Sequence, residues 1–393
     1  MAQGQKLMTS GSIPKQMVFF ALPILLGNLF QQLYNTVDSL IVGNFLGSQA
    51  LAAVSSSGNI IFLMIGFFNG VAIGTGVVIS RYFGAREIER MQNAIHTTVA
   101  FGLIVSFIMT LIGVFFTPTL LRWMGTPDSV MAASVTYFKI YFLGSFGSIM
   151  YNFFVGILQA VGDSKHSLYY LIVSSVVNIV LDLFFIAVLK MGVGSAALAT
   201  IISEGISSAL ILLCLKHMDG PLHFELKDMR FHKELALQML EVGLPAGLQG
   251  IIFSISNVLI QSSINSFGSL VMAGNTAASN IEGFVYTSMN AVYQTSLSFT
   301  SQNFGAKKYD RIDKILLECL VIVSIVGLVL GQGAYFFGQQ LLSIYSSDER
   351  VIQFGINRLA VISTMYCLCG IMDTLVGSLR AVSYTHLTLP TIL

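Results

Sequence analysis

The sequence predicts an all-α integral membrane protein: two six-helix lobes related by a parallel pseudo-twofold repeat, with ten spans present because the second lobe lacks about two helices. Three observations lead there. Apolar residues make up 54% of the 393-residue chain and charged residues only 10%, against about 25% charge in a soluble domain. Ten apolar runs are each long enough to cross a bilayer, which takes about 20 residues as a helix. The chain also repeats itself at an offset of 221 residues. A mean hydropathy of +0.78 and a net charge of +1 exclude an ordinary soluble enzyme, a disordered chain and a nucleic-acid binder.

The runs fall near 17–42, 51–77, 94–118, 134–158, 168–189, 193–216, 238–265, 272–297, 315–338 and 355–379. They lack the period-two alternation of a membrane β-barrel and so read as helices. Residues 1–16 are polar, carry Lys6 and Lys15, and show no cleavable signal sequence. With the N-terminus cytoplasmic, 15 of the 20 Lys and Arg residues fall in inside segments, so the positive-inside rule orients the chain that way. The expected setting is the plasma (inner) membrane of a bacterium, crossed many times by a monomer. Cys214, Cys319, Cys367 and Cys369 lie in or beside apolar runs without metal-ligand spacing and read as small buried side chains. No cofactor and no resident metal are expected.

Self-comparison supplies the architecture. Ser80-Arg-Tyr-Phe-Gly-Ala-Arg86 matches Ser301-Gln-Asn-Phe-Gly-Ala-Lys307, and Gly156-Ile-Leu-Gln-Ala-Val161 matches Gly377-Ser-Leu-Arg-Ala-Val382, both at an offset of 221. The unit holds six helices, an even number, so both copies face the same way. Parallel repeats of this kind build secondary transporters with a binding site between the halves. The divisions are a lobe over 1–217, a cytoplasmic inter-lobe linker over 218–236, a second lobe over 237–382 with four helices, and a tail over 383–393. Similarity to the first copy stops after Val382, so the tail is expected to be non-native and poorly packed.

An ionised side chain at the bilayer centre costs about 2.5–3.5 kcal/mol on insertion scales, which marks the acidic residues inside the runs: Asp38, Asp182, Glu204, Glu282 and Asp373. No Lys or Arg is expected deep in a span to pair with them, so the interior suits a mobile cation. Polar residues repeat three and four apart on single faces. The first span carries Asn28, Gln31, Gln32, Asn35 and Asp38. The fifth carries Ser174, Asn178 and Asp182, the seventh Ser254, Asn257 and Gln261, and the eighth Asn275, Ser279, Glu282, Tyr286, Asn290 and Tyr293. The stripes of spans one, two, seven and eight are expected to line one central cavity, with Gln31, Asn35, Asn257, Gln261, Glu282 and Tyr286 facing substrate. The second span, with only Asn59 and Asn69, is the sparse member. Pro23 and Pro245 occupy matching places in spans one and seven, free a carbonyl there and are expected to act as hinges.

The chain has neither the Gly-rich Lys-Ser/Thr loop of a nucleotide-driven motor nor a His-Glu-x-x-His zinc motif. The order and spacing of Ala21-Leu-Pro23, Tyr34-Asn-Thr-Val-Asp-Ser-Leu-Ile-Val-Gly43, the twin Phe83-Gly-Ala and Phe304-Gly-Ala corners, Gln159-Ala-Val-Gly-Asp163 and Asn178-Ile-Val-Leu-Asp182 resemble the multidrug and toxic compound extrusion transporters over 14–382. The resemblance implies twelve helices in two lobes and exchange of a drug for H⁺ or Na⁺. Its DinF-like bacterial branch implies a cation site at Asp38, Asn178, Asp182 and Thr200, with Na⁺ or a proton held at Asp38 and Asp182. Another branch has an acidic residue in the middle of its seventh helix, where this chain has Ser254, Ile255 and Ser256. The expected function is a secondary antiporter exporting amphipathic organic cations by alternating access, and not an enzyme. The partners are the lipid bilayer, a small cationic substrate and the coupling ion. A lipid-linked oligosaccharide flippase, the alternative within the same superfamily, needs basic residues in its cavity to hold a diphosphate. An integral membrane enzyme needs a metal or nucleophile constellation that the sequence lacks.

Overall fold

A computed structural model describes residues 6–46, 48–123, 126, 128–218, 222–225, 227 and 229–383, with side chains described except at 39–40, 43–44, 48–53, 55–65, 129, 265 and 269. The side chain of Asn59 and the tail beyond Ser383 therefore lie outside the described residues. Among the described residues the structure is helical throughout: α1 (Ile13–Leu46), α2 (Ser48–Ala85), α3 (Ile88–Trp123), α4 (Asp128–Leu143), α5 (Ser145–Ala160), α6 (Ser164–Asp182), α7 (Gly194–His217), α8 (Lys233–Asn265), α9 (Ser269–Gly305), α10 (Tyr309–Phe336), α11 (Gly338–Ser343), α12 (Glu349–Ile362) and α13 (Tyr366–Ala381). Helices bond their own backbones, the condition for crossing hydrocarbon. Many Ser and Thr hydroxyls within the helices do the same, as Ser175 to Leu171 O at 2.9 Å and Ser254 to Gly250 O at 2.9 Å.

Seven helical stretches of the described residues are long and apolar enough to span, or eight when the bent pair α4–α5 is taken as one. The ten runs of the sequence all lie in helices, but α9, 37 residues long, is not among those seven. α9 spends much of its length on Asn, Ser, Thr and Glu rather than on aliphatic residues. The run 134–158 is not straight either: it breaks at Gly144 with a bend of 49°, where Ile201 of α7 sits against the glycine. A π-helical turn, Leu183–Val188, follows directly on Asp182. Such turns are rare and concentrate at functional positions. α1 and α8 run unbroken through Pro23 and Pro245.

Packing is one-ended. α2 lies against α8 so closely that a Cβ on Gly70 would stand 2.2 Å from the Gly247 nitrogen and one on Gly74 2.2 Å from the Met239 carbonyl. Small residues of this kind let membrane helices meet backbone to backbone. Farther along α8, beyond Gly250, Ile255, Val258, Leu259 and Ile260 are all exposed. At the close-packed end, Val77, Val242, Leu297 and Ala381 form a small core joining α2, α8, α9 and α13.

That end is also where the repeated corners meet. Arg81 donates from Nη2 to the Ala381 carbonyl at 2.7 Å and from Nε at 3.0 Å. Gln302, its partner at the 221 offset, donates to the Ala160 carbonyl at 2.8 Å, and Ala160 is the partner of Ala381. Gly84 and Gly305 complete the pattern: a Cβ on either would stand 1.9–2.0 Å from the backbone of Gln302 or Arg81. Left-handed turns recur at the same spacing, with Arg86 and Lys307 at φ 61° and 56°, and Gly162 and Ser383 at 85° and 68°.

Candidate functional site

α1, α6 and α7 bring together the residues expected to hold a cation. Asp182 is fully buried and Asn178 is 1% exposed. One turn apart on α6, they face the same way. Asn178 donates from Nδ2 to Thr200 Oγ1 at 3.5 Å, and Thr200 is held by its own bond to Ala196 O at 3.0 Å. The carboxyl of Asp38 on α1 approaches that of Asp182 directly. Among the described residues no donor reaches Asp38 Oδ1, Asn178 Oδ1 or either oxygen of Asp182. A buried acceptor without a donor is costly. Four of them converging, three of them carboxylate oxygens, form a nest whose chemistry fits a proton or a hard monovalent cation with oxygen ligands.

The acidic residue of α9 has a different environment, and here the sequence reading is corrected. It expected no Lys or Arg deep in a span to pair with the acidic residues. Arg358 instead binds Glu282 from Nη2 to Oε2 at 2.7 Å and from Nε to both oxygens at 3.1 and 3.2 Å. Its Nη1 donates to Asn275 Oδ1 at 2.6 Å, and Asn275 Nδ2 donates to Gln261 at 3.3 Å. α12 begins at Glu349 rather than 355, which carries Arg358 into its third turn and against α9. Arg380 is likewise buried, at 6% exposure. It donates to Tyr293 Oη at 2.6 Å and to the Gln249 side chain.

A cavity of about 350 Å³ opens between α1, α2, α5, α6 and α9. Its polar lining is carboxamide and hydroxyl: Gln31, Asn69, Asn152, Gln159, Asn290 and Tyr293 are typical, and no charged residue lines it among those described. Of the six residues expected to face substrate, Gln31 lines this cavity. Gln261 and Glu282 belong to the Arg358 network, Asn35 and Asn257 are exposed on α1 and α8, and Tyr286 is 39% exposed beside Asp373. Pro23 lines the cavity and Pro245 does not. Asn290 and Tyr293 belong to the stripe expected of the eighth span, whereas Asn152 and Gln159 were missed because each is a lone amide in an apolar run. The signal that could have found Gln159 is its place in the repeated corner, opposite Arg380.

Comparison with known proteins bears on the fold and on the family. The family model MatE matches residues 23–184 and 245–393. The chain is 30% identical over 377 residues, covering 94% of itself and 81% of the other, to a protein of Bacillus subtilis described as "Probable multidrug resistance protein YoeA". It is 25% identical over 373 residues, 94% and 82% of the two chains, to "Multidrug export protein MepA" of Staphylococcus saprophyticus. Its fold matches a multidrug resistance MATE family transporter of the MOP superfamily in an outward-facing conformation, with a TM-score of 0.93 at 24% identity over all of this chain and 87% of that one. It also matches a MOP superfamily transporter from Pyrococcus furiosus, with a TM-score of 0.92 at 25% identity over 100% and 87%. The chain belongs to the MatE family of membrane transporters.

Proposed function

We propose that the protein is a secondary active antiporter for multidrug efflux, exporting amphipathic organic cations in exchange for H⁺ or Na⁺ by alternating access. The observation that carries this reading is the nest of donorless oxygens at Asp38, Asn178 and Asp182. It lies on α1 and α6, the same helices that wall the cavity at Gln31 and Leu171. Gln31 and Asp38 are seven residues apart, two turns on one face of α1 and about 10 Å along its axis. Occupation of the nest and of the cavity therefore acts on one helix.

Two carboxylates held together in a dry site repel unless a cation neutralises them. A proton or Na⁺ at Asp38 and Asp182, with Asn178 and Thr200 orienting the site, favours one state of the halves, and its departure favours the other. Drug and ion exchange because they prefer opposite states. In this reading residues 1–217 and 237–382 are two parallel lobes joined by 218–236, and the N-terminus is cytoplasmic in a bacterial plasma membrane. The chain acts as a monomer. The close-packed end is then the inside, so the cavity faces outward, and Pro23 and Pro245 are the points where α1 and α8 bend between states. The names of the relatives support drug export. A lipid-linked oligosaccharide flippase is disfavoured because no Lys or Arg lines the cavity among the described residues.

In proteoliposomes under an imposed H⁺ or Na⁺ gradient, Asp38→Asn and Asp182→Asn are each expected to abolish gradient-driven export while drug binding and thermal stability remain. A variant that exports at the normal rate with unchanged pH and Na⁺ dependence removes its residue from the coupling site.

A further inference from the structure

We propose that residues 6–10, the segment ahead of α1, form a strap that latches the close-packed end and must let go before that end opens. The proposal rests on the alternating-access reading, but its geometry is independent of the ion and the drug. The segment lies outside any helix, yet Met8 is 2% and Thr9 5% exposed. Such burial of irregular backbone requires that its polar groups find partners, and they find them on both halves of the molecule.

On one side, Lys6 N donates to the Val161 carbonyl at 3.1 Å. The next residue, Gly162, has φ +85°, and a Cβ there would stand 2.5 Å from the Lys6 carbonyl, so the strap lies in a corner that only glycine keeps open. On the other side, Met8 N donates to Gln302 Oε1 at 2.9 Å, Asn303 Nδ2 donates to Met8 O at 3.2 Å, and Lys308 Nζ donates to Thr9 O at 2.7 Å. The strap thus spans the corner after α5 and the corner after α9.

Gln302 gives the strap its leverage. Its oxygen accepts from Met8 while its nitrogen donates to Ala160 O at 2.8 Å. With the oxygen held by the strap, the amide is fixed in the orientation that closes the clamp between the corners. Among the described residues the strap has no counterpart ahead of α8: Pro23 and Pro245 stand 222 residues apart, which pairs Met8 with Arg230, and Arg230 is exposed. The clamp at Arg81 closes without help, whereas the clamp at Gln302 depends on a segment that separation of the corners must strip from one side or the other. Hydrogen bonds fail beyond about 3.5 Å, so a movement of little more than 1 Å releases it. Strap release is then a step on the path between the two states.

The test uses the full chain with its four cysteines replaced by alanine and a reporter thiol at Ser298→Cys, on the cavity wall one turn inside the clamp. A membrane-impermeant maleimide is applied from the strap side, in the absence of drug and of an ion gradient. Replacing residues 6–10 by a Gly-Ser segment of equal length is expected to raise the labelling rate about fivefold, the effect of losing one net hydrogen bond from the closed state. Lys308→Met and Asn303→Ala, which leave the strap in the chain, are expected to raise it by smaller factors. Unchanged labelling in the point variants overturns the proposal, even if the replaced segment proves unable to fold. A fall in thermal stability with unchanged labelling also overturns it, because the strap is then only structural. Raised labelling alongside normal coupling in Asp38→Asn leaves the strap standing and refutes the coupling site instead.

Discussion

Glu282 is buried with Arg358 on both of its oxygens, so Arg358→Met leaves a carboxylate in a dry site with no counter-charge. Breaking such a pair costs about 3–5 kcal/mol, while replacing both partners by neutral groups is nearly free. Thermal unfolding in detergent should therefore order the variants as wild type and Glu282→Gln/Arg358→Met together, with Arg358→Met well below. The double variant should keep ion-dependent export, since a carboxylate already neutralised by guanidinium has no need of a mobile ion. Loss of coupling in the double variant would place Glu282 back among the ion-binding groups. Asp38 and Asp182 were legible in the sequence because an acid in a long apolar run has a cost that demands a reason. Arg358 was not legible, because it stands four residues inside a run whose helix starts earlier than hydropathy shows. A guanidinium near the edge of a run is the residue that a composition reading mistakes for solvent-facing.

At the scale of elements, the segment between α7 and α8 is an example of what periodicity offered and the linker reading passed over. Leu222 and Phe224 are buried at 0% and 1%, with the Phe224 ring tilted against His96 at 4.9 Å, while the alternate residues His223 and Glu225 reach solvent. Apolar and polar residues alternate here for only four positions, too short to register as an element, yet they anchor the segment into the core of α2, α3, α5 and α7. Phe224→Ala should cost about 3–5 kcal/mol in unfolding experiments. The polar pair on the other face behaves differently. Lys227 and His223 hold the Glu225 carboxyl down to about 2, and Glu225 holds His223 above its ordinary value. A raised histidine contributes below its unfolded value and loses that contribution as pH rises through the folded one. Both groups are solvent-exposed, where such pairs are worth little, so His223→Ala should leave the melting temperature the same at pH 6 and pH 8. A clear drop at pH 6 alone would show the pair to matter. The long helices themselves were read correctly from hydropathy, but the break at Gly144 was not. Glycine is common enough in membrane helices that its presence alone does not mark a bend.

For the molecule as a whole, the 221-residue offset relates contacts as well as sequence. Arg81 reaches the carbonyl of Ala381 and Gln302 reaches that of Ala160, so each repeated corner clamps the end of the other copy's corner-forming helix, α13 or α5. This reciprocity was not readable in advance, because a sequence match says that two segments are alike and not that they touch. It leads to a substitution with a definite sign. The clamp needs an N–H donor at position 81 and not a charge, since the matching position does the same work with an uncharged amide. Arg81→Gln should therefore retain most of the closure of this end, whereas Arg81→Ala should lose it, and Gln302→Ala should be the more severe of the two alanine variants because it also frees the Met8 amide. Replacing the guanidinium should cost little in electrostatics, as its acceptors are the neutral carbonyls of Arg380 and Ala381. The measurement is maleimide labelling of the Ser298→Cys reporter from the strap side: near the parent rate in Arg81→Gln, raised in Arg81→Ala and raised further in Gln302→Ala. Equal loss in Arg81→Gln and Arg81→Ala would mean that the charge, or the stacking of Arg81 over the Phe304 ring at 5.3 Å, holds the corners together, and the paired clamps would then be a likeness of form without a shared role.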